Sequence, residues 1–186
     1  MRRVLWLVPV VVIFALGGLA LFRARPSAEL GRPAPLFELP DLADDDARIA
    51  LGDLRGKPLV MNFWASWCDP CREEAPELAA VARRMGTRVT FLGVNILDGR
   101  EEALEYVDRY EIGFRNVRDA RAITAKRYGV NGAPETVFVD SRGNVVGKYI
   151  GAFRPGQLED FARDLLELPP GEVLRITGRG ETRPVP

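Results

Sequence analysis

Two cysteines, the only ones among the 186 residues, carry the clearest chemistry in this sequence. Cys68 and Cys71 enclose Asp69 and Pro70, and this Cys-x-x-Cys spacing allows a disulfide to form and reopen. The apolar run at 59–65 predicts a buried strand before the pair, and a helix pattern begins near Pro70. At such a turn, unpaired N–H groups and the positive end of the helix dipole lower a thiol's pKa. We therefore expect Cys68 to be the attacking thiolate and Cys71 to be the resolving thiol.

Two other uses of the cysteine pair have to be weighed. A zinc site needs about four ligands, and with no histidine and no third cysteine only carboxylates could complete one. A purely structural bridge would add little stability, because it closes a very short loop. The absence of histidine also removes Ser-His and Cys-His catalysis. Redox chemistry without a metal or a cofactor is therefore the predicted use of the pair.

The composition sets the size of the fold and limits its partners. The chain is 47% hydrophobic and can bury one full core. Its 26 basic residues balance 26 acidic ones, so no strongly charged surface is expected. We expect a monomer that does not bind nucleic acid.

The helix pattern after the cysteines contains a carboxyl group close to its buried face. Apolar residues recur at helical spacing and define that face: Cys71, Ala75, Leu78, Ala82 and Met85. Pro76 lies inside this pattern and should kink the helix. Glu74 lies at the edge of the same face, where partial burial would raise its pKa and let it exchange protons with Cys71. The alternative is an exposed Glu74 paired with Arg72 or Arg83.

The start of the chain predicts a membrane anchor. The run from Val4 to Phe22 carries no charge and is about as long as a bilayer-spanning helix. A cleaved signal peptide is the alternative, although the small residues at 18–20 match a cleavage pattern imperfectly. We favour an uncleaved anchor over residues 1–25. A tethered dithiol is most useful outside the cytoplasm, where other thiols become disulfides.

The rest of the chain divides into three parts. Residues 26–35 are polar and punctuated by proline, which predicts a linker. Residues 36–168 form the predicted domain. The tail, 169–186, contains one short apolar run at 173–176 and is predicted to be extended or disordered.

Within the domain, short apolar runs predict strands and amphipathic patterns predict helices. A pair of alternating runs predicts an N-terminal β-hairpin. Longer runs of β-branched and aromatic residues predict buried strands. The predicted elements, besides those next to the cysteines, are a hairpin at 36–39 and 48–51, strands at 89–95, 114–117, 135–139 and 145–150, and helices at 99–111, 120–128 and 156–167.

Two motifs resemble one known group of proteins. The segment from Asn62 to Glu74 resembles the active-site signature of membrane-anchored thioredoxin-like proteins, the CcmG/DsbE, ResA and TlpA group. The segment from Gly129 to Thr136 resembles the CcmG/DsbE version of the loop that faces this site. The likeness covers about residues 30–168, a normal span for one domain. It implies an α/β thioredoxin-like fold, a central mixed β-sheet flanked by helices, with an N-terminal β-hairpin and a central helix-strand insertion.

The resemblance also implies a substrate-binding surface around the dithiol. In this fold the proline of the facing loop is cis and packs beside the cysteines, so we assign a cis peptide bond to Pro134, with a trans bond opening an edge strand as the alternative. The backbone of Ala133 would then pair with an extended substrate segment. Glu135 would add a carboxylate near the groove that selects against acidic substrates. Trp67 and Pro70 complete the predicted surface.

The resemblance favours one of the two interpretations of Glu74. ResA-like proteins carry a functional buried acid three residues after the second cysteine, and Glu74 stands there. Asn62 stands six residues before Cys68, where ordinary thioredoxins carry a buried aspartate. Proton handling would therefore have moved from the strand to the helix.

The function implied by the resemblance is disulfide reduction outside the cytoplasm. The substrate would be the disulfide in the haem-binding Cys-x-x-Cys-His of an apocytochrome c, or a partner in its maturation. Electrons would come from a membrane thiol transporter of the CcdA or DsbD type. The protein would be a single-pass protein of the inner membrane with its catalytic domain in the periplasm.

Several other functions remain open from the sequence. An oxidase, or a general thiol-disulfide oxidoreductase with other substrates, would use the same residues. A peroxidase is less well supported, because Ser66 and Trp67 precede Cys68 where a polar peroxide pocket would be needed. The non-enzymatic alternative is a redox-inert docking module or a thiol metallochaperone that binds partners on the same groove.

Overall fold

The apolar runs of the sequence form the strands of a central sheet in the computed structural model, which describes residues 28–176. A 3-10 turn at Leu51–Leu54 precedes the sheet. The strands are β1 (Glu38–Pro40), β2 (Arg48–Ala50), β3 (Leu59–Trp64), β4 (Thr90–Ile96), β5 (Arg115–Asp119), β6 (Glu135–Val139) and β7 (Val145–Ile150). The helices are α1 (Asp69–Met85), α2 (Arg100–Arg109), α3 (Ile123–Arg127) and α4 (Gln157–Glu167).

The central sheet is mixed, as the sequence predicts. Its strand order is β5-β4-β3-β6-β7. The first three of these strands run parallel, and β6 and β7 are antiparallel to their neighbours. β1 and β2 form the predicted separate hairpin, in which Leu39 lies opposite Ile49. The predicted insertion corresponds to α2 and β5.

Both faces of the sheet are covered, because side chains of the buried central strand alternate between them. On one face, Met61 of β3 packs in a cluster that includes Ala125 of α3. On the other face, Val60 packs in a cluster with Val81 of α1 and Leu158 of α4. The central strand is therefore fixed from both sides, and its carboxyl end leads directly into the cysteine segment.

Helix α1 buries the predicted face, which is wider than the predicted set of apolar residues. Ala79 and Val81 are also buried, whereas Ala82 is only half-buried at the edge. Glu74 is buried with the apolar residues of this face, and Pro76 lies on the exposed side. The sequence period therefore located the correct face but missed Ala79 and Val81.

Helix α3 is shorter than the predicted helix at 120–128. Ala122 has a φ of 51° and stands before the first helical residue. The carboxylate of Asp119 accepts hydrogen bonds from the N–H groups of Ile123 (2.9 Å) and Ala125 (2.8 Å), which satisfies donors of the first turn. The helix begins after this aspartate because its carboxylate takes the place of an N-cap side chain.

The predicted linker is not a free tether over residues 28–35. The N–H groups of Gly31 and Ala34 donate to Val145 O (2.7 Å) and Gly143 O (2.9 Å), and Ala34 is buried. The prolines of this stretch remove only their own donors, so the residues between them can still pair with the β6–β7 hairpin. The packed domain therefore begins before residue 36.

The first part of the C-terminal tail also packs on the domain. Leu174 is buried, and its N–H donates to Val146 O at 2.7 Å. Gly147 makes room for it, since a Cβ there would lie 3.0 Å from Leu174 Cδ1 and 2.8 Å from Ile176 Cδ1. The domain therefore extends beyond residue 168, and the apolar run predicted to be extended or disordered lies against β7.

The predicted membrane anchor, residues 1–25, lies outside the described residues. Within 28–176, none of the helices combines the length and the apolar character that a membrane crossing requires.

A prediction concerns Gly93, at the centre of β4. A Cβ at this position would lie 1.8 Å from Asn116 Oδ1 and 2.7 Å from Trp64 Nε1, two atoms that hydrogen-bond to each other at 3.0 Å. Gly93→Ala should therefore lower the free energy of unfolding by about 2–3 kcal/mol, because it overpacks the site and breaks a buried hydrogen bond. Urea denaturation measures this change. Gly52→Ala is the control, since a Cβ there meets nothing within 4 Å, and an equal effect of both substitutions would contradict the prediction.

Candidate active site

Cys68 and Cys71 form a disulfide at the amino end of α1, with their Cα atoms 5.3 Å apart. Cys68 is the N-cap residue of the helix, and its sulfur accepts a hydrogen bond from the Cys71 N–H at 3.2 Å. The exposed fraction is 4% for Cys68 and 0% for Cys71. An incoming thiolate or disulfide therefore meets the Cys68 sulfur first. The helix amino end, with its unpaired N–H groups, is positioned to stabilise a thiolate there.

The turn before Cys68 is held by Asp98, which follows β4. Its carboxylate accepts hydrogen bonds from Ser66 N (2.6 Å), Ser66 Oγ (2.8 Å) and Asn95 Nδ2 (2.8 Å). The indole N–H of Trp67 donates to Leu97 O at 3.0 Å, while 55% of the Trp67 side chain remains exposed. The sequence analysis missed Asp98. An acidic residue directly after a buried parallel strand is a signal that could have identified it.

Glu74 is buried beneath the disulfide, on the same face of α1 as Cys71. Its carboxylate accepts hydrogen bonds from Asn62 Nδ2 (2.9 Å) and from Phe153 N (3.2 Å). Asn62 also donates to Thr136 Oγ1 at 3.1 Å, which orients the amide. Burial raises the pKa of Glu74 to about 8, against the opposing effect of these two hydrogen bonds. A group with this pKa can take up or release a proton close to neutral pH.

The alternative interpretation of Glu74, an exposed ion pair with an arginine, is wrong. Arg72 instead donates to Ser66 O (2.9 Å) and pairs with Asp69 (3.0 Å) on the surface. The buried position follows from the helical period, because Glu74 stands between Cys71 and Leu78 on the face that meets the sheet.

Tyr106 connects the inserted helix α2 to the cysteines. Its hydroxyl donates to Cys71 O at 2.6 Å, and its ring stacks on Trp64 with centroids 4.4 Å apart. Burial raises the pKa of its phenol, so the hydroxyl remains a donor at any ordinary pH. Tyr106 was not among the predicted site residues. The spacing of three from the buried Ala103 could have indicated it.

The loop that faces the disulfide contains the cis peptide bond assigned to it, between Ala133 and Pro134. Ala133 is half-buried and packs against the apolar cluster that contains both cysteines. The carbonyl of Pro134 accepts a hydrogen bond from Gly151 N at 2.9 Å. The structure therefore places Ala133 against the apolar cluster to which Cys68 and Cys71 belong.

Glu135 does not offer a free carboxylate to a groove. It is buried, and its Oε1 accepts hydrogen bonds from Asn131 N (2.9 Å) and Gly132 N (3.2 Å). Its Oε2 lies 3.2 Å from the Lys148 ammonium, a cation on the neighbouring strand. The prediction was that a Glu135 carboxylate in the groove selects against acidic substrates. In the structure this carboxylate binds the N–H groups of the loop before Ala133 instead.

The last of the predicted site residues also lies at the start of α1. Pro70 is half-buried in the first turn of α1, next to Cys71. Within residues 28–176, no three side chains of histidine, cysteine, aspartate or glutamate come together as metal ligands.

Comparison with known proteins places the chain among thiol-disulfide exchange proteins. Residues 30–148 match the AhpC/TSA family. The thiol:disulfide interchange protein DsbE of Pseudomonas fluorescens biotype C is 37% identical over 158 residues, which cover 81% of this chain and 86% of that protein. The thiol-disulfide oxidoreductase ResA of Bacillus subtilis (strain 168) is 30% identical over 155 residues, which cover 81% and 86%.

A solved structure shows the same fold. A secreted Mycobacterium tuberculosis disulfide oxidoreductase homologous to E. coli DsbE is 30% identical, with a TM-score of 0.63, and the match covers 69% of this chain and 96% of that one. The predicted thioredoxin-like fold is thus confirmed. DsbE and ResA both belong to the group of proteins that the cysteine motif resembles.

The pKa of Glu74 predicts a pH dependence of stability. The unfolded chain releases this proton near pH 4.5 and the folded protein near pH 8, so the folded state holds the extra proton between these values. Its contribution therefore lowers the free energy of unfolding as the pH rises from about 4.5 to about 8, by up to about 1.4 kcal/mol per pH unit. Glu74→Gln cannot titrate, so its stability relative to the native protein should rise across this window.

Urea denaturation of the oxidised proteins between pH 5 and pH 8 measures this difference, because the disulfide cannot titrate. Glu73→Gln, at the exposed neighbouring position, is the matched control and should follow the native protein at every pH. A gap between Glu74→Gln and the native protein that stays constant with pH would contradict the buried, protonated carboxyl.

The contact between Tyr106 and Cys71 O predicts a second effect. Tyr106→Phe keeps the stacked ring but removes the hydroxyl, and should lower the free energy of unfolding by about 1 kcal/mol. Tyr110→Phe, also on the insertion and with its ring centroid 4.7 Å from that of Tyr106, should change stability by less than about 0.5 kcal/mol. Chemical denaturation of the two oxidised variants tests this, and equal effects would count against a specific contact.

Proposed function

The chain belongs to the AhpC/TSA family and is a thiol-disulfide oxidoreductase, and from that premise we propose that it reduces the haem-binding cysteines of apocytochrome c. The observation that carries the proposal is the layered site. Cys68 keeps a small exposed fraction of 4%, Cys71 is fully buried, and the Glu74 carboxyl is buried on the same helix face as Cys71. This order matches the order in which the groups act in a reduction.

The reaction begins with the reduced protein. The Cys68 thiolate attacks one sulfur of the substrate disulfide, a mixed disulfide forms, and the other substrate sulfur leaves as a thiolate that takes up a proton. Cys71 then loses its proton and attacks the Cys68 sulfur, which closes the disulfide seen here and releases the second substrate thiol. Two electrons pass from the protein to the substrate. We assign Glu74 the transfer of the Cys71 proton, since its pKa of about 8 lies near that of a thiol.

The surface around Cys68 supports binding of an extended substrate segment. Ala133 packs against the apolar cluster that contains both cysteines, and we propose that its backbone pairs with such a segment. We propose that Trp67, Pro70 and Pro134 contact the substrate around the attacked disulfide, and that Glu135 supports the loop rather than touching the substrate. An apocytochrome c segment is unfolded before haem attachment and can adopt this conformation.

The cellular setting of the proposal follows from the sequence and from the relatives. We propose that residues 1–25 anchor the protein in the inner membrane, with the described domain in the periplasm. A relative in Mycobacterium tuberculosis is secreted, which supports a site of action outside the cytoplasm. The oxidised form would be returned to the dithiol by a membrane thiol transporter of the CcdA or DsbD type, since extracytoplasmic disulfides otherwise persist.

Trapping tests both the order of attack and the substrate. In cells, Cys71→Ala should accumulate a mixed disulfide between Cys68 and an apocytochrome c, because no second thiol can release the partner. Mass spectrometry of the purified adduct identifies the partner and the bonded cysteine. Cys68→Ala is the control and should trap less of it, because the remaining thiol is sealed from solvent.

The reduction potential separates a reductase from an oxidase. A reductase should have a potential near that of thioredoxin, about −270 mV, whereas a strong oxidant such as DsbA lies at about −120 mV. Equilibration with a thiol buffer measures it. A potential near the oxidant value would overturn the proposed direction, and an adduct with unrelated proteins would overturn the proposed substrate.

A further inference from the structure

Exposed apolar side chains stand in a row beside the disulfide, at the carboxyl ends of three neighbouring parallel strands. Trp67 follows β3, Leu97 follows β4 and Ile123 follows β5, with 55%, 56% and 45% of each side chain exposed. Neighbouring strands lie about 4.8 Å apart, so the row extends for about 10 Å from the disulfide along the sheet edge. We call Trp67, Leu97 and Ile123 the apolar ridge.

Leu97 is the residue of the ridge that the fold does not explain. Its φ of 50° lies in the left-handed region, which costs a residue with a branched side chain about 1 kcal/mol or more. Such strain persists where the surrounding structure imposes it, and it clusters at functional sites. Burial repays only part of this cost, because Leu97 is 56% exposed. A glycine or asparagine would suit the backbone better, so the fold alone does not account for a leucine at this position.

The ridge is fixed relative to the attacking sulfur. Leu97 O accepts the Trp67 indole N–H at 3.0 Å, and the next residue, Asp98, holds both N and Oγ of Ser66. Ser66 and Trp67 directly precede Cys68. Leu97 is therefore mounted on the loop that positions the sulfur, and a substrate that touches one also faces the other.

Ile123 is mounted on the next strand in a similar way. Asp119, the last residue of β5, lies opposite Ile96 and accepts the Ile123 N–H at 2.9 Å. Arg118 donates to Asp98 O at 3.3 Å, which connects the end of β5 to the Leu97 loop. The ridge is thus held by hydrogen bonds across three strands and continues the surface that a substrate must occupy to reach Cys68.

We propose that the apolar ridge recognises a bulky aliphatic or aromatic side chain close to the attacked cysteine in an extended substrate segment. An extended chain rises about 3.3 Å per residue, so a 10 Å ridge corresponds to a side chain within about three residues of that cysteine. The occupant is a disulfide-bearing polypeptide segment with such a residue. The inference deepens the proposed reductase activity and rests on it.

The test uses two disulfide peptides that differ only in residues within three positions of the cysteine, Leu and Phe in one and Ser in the other. The reduced full-length protein is mixed with each peptide, and the second-order rate constant of its oxidation is measured by stopped flow. The variants are Leu97→Asn, which suits a positive φ, and Ile123→Gln, which suits a helix start. Each variant removes apolar surface that the substrate side chain would cover on binding, so each should lower the rate constant for the apolar peptide about fivefold. The rate constant for the serine peptide should stay unchanged.

Leu36→Asn is the matched control. Leu36 is 57% exposed, like Leu97, but lines a separate groove with Pro33 and Arg127, so both rate constants should remain those of the native protein. Leu97→Asn should also unfold at no lower urea concentration than the native protein, because asparagine tolerates the left-handed backbone. Equal losses on both peptides, no loss on either, or a clear loss of stability in Leu97→Asn would each overturn the recognition by the ridge.

Failure of the proposed function gives a different result. A reduced native protein that reduces neither peptide would refute the reductase activity itself, whereas one that reduces both at equal rates refutes only the ridge.

Discussion

The burial of one carboxyl group beneath the disulfide is the constraint around which this site is built. An ionised carboxylate away from water is costly unless it is paired or hydrogen-bonded, and Glu74 has no cation beside it in the part of the chain that the structure describes. The fold keeps two donors for it, the Asn62 amide from the central strand and the Phe153 N–H from the segment before α4. The hydrogen bonds from these donors lower the pKa of Glu74, but burial raises it by more. The group therefore stays protonated up to about pH 8. A charge on Glu74 is therefore available only near the pH at which an ordinary free thiol titrates.

The same constraint explains why the insertion matters to the chemistry. A helix that carries a buried acid and an N-terminal disulfide must be held in a fixed position, and contacts from α2 and the loop after β4 provide this. Tyr106 holds Cys71 O from one side, while Asp98 holds the Ser66 turn from the other. The contact from Tyr106 shows that the insertion supports the first turn of the catalytic helix.

Much of this arrangement could be predicted from the sequence, because it follows from local patterns. The Cys-x-x-Cys spacing at a strand-to-helix turn, the helical period that buries Glu74, and the motif around Pro134 are each encoded within about ten residues. Glu135 could not be predicted in the same way. Its carboxylate binds two N–H groups of its own loop and the Lys148 ammonium of β7, and that pairing depends on the register between two strands. The contacts of Gly31, Ala34 and Leu174 could likewise not be predicted, since their partners lie on the β6–β7 hairpin and not near them in sequence.

The positive φ of Leu97 shows how such long-range constraints reach the substrate. Asp98 accepts the Ser66 N–H at 2.6 Å only two residues after the buried strand β4, and the intervening Leu97 adopts the left-handed backbone conformation, with a φ of 50°. Glycine would meet that requirement at no steric cost. A leucine there sacrifices some stability, and in return the turn that positions the Cys68 segment also presents an apolar side chain at a fixed place beside it. Positioning of the sulfur and placement of the Leu97 side chain then depend on the same few hydrogen bonds, but these bonds use Asp98 and the Leu97 backbone, so the side chain can be exchanged without breaking them.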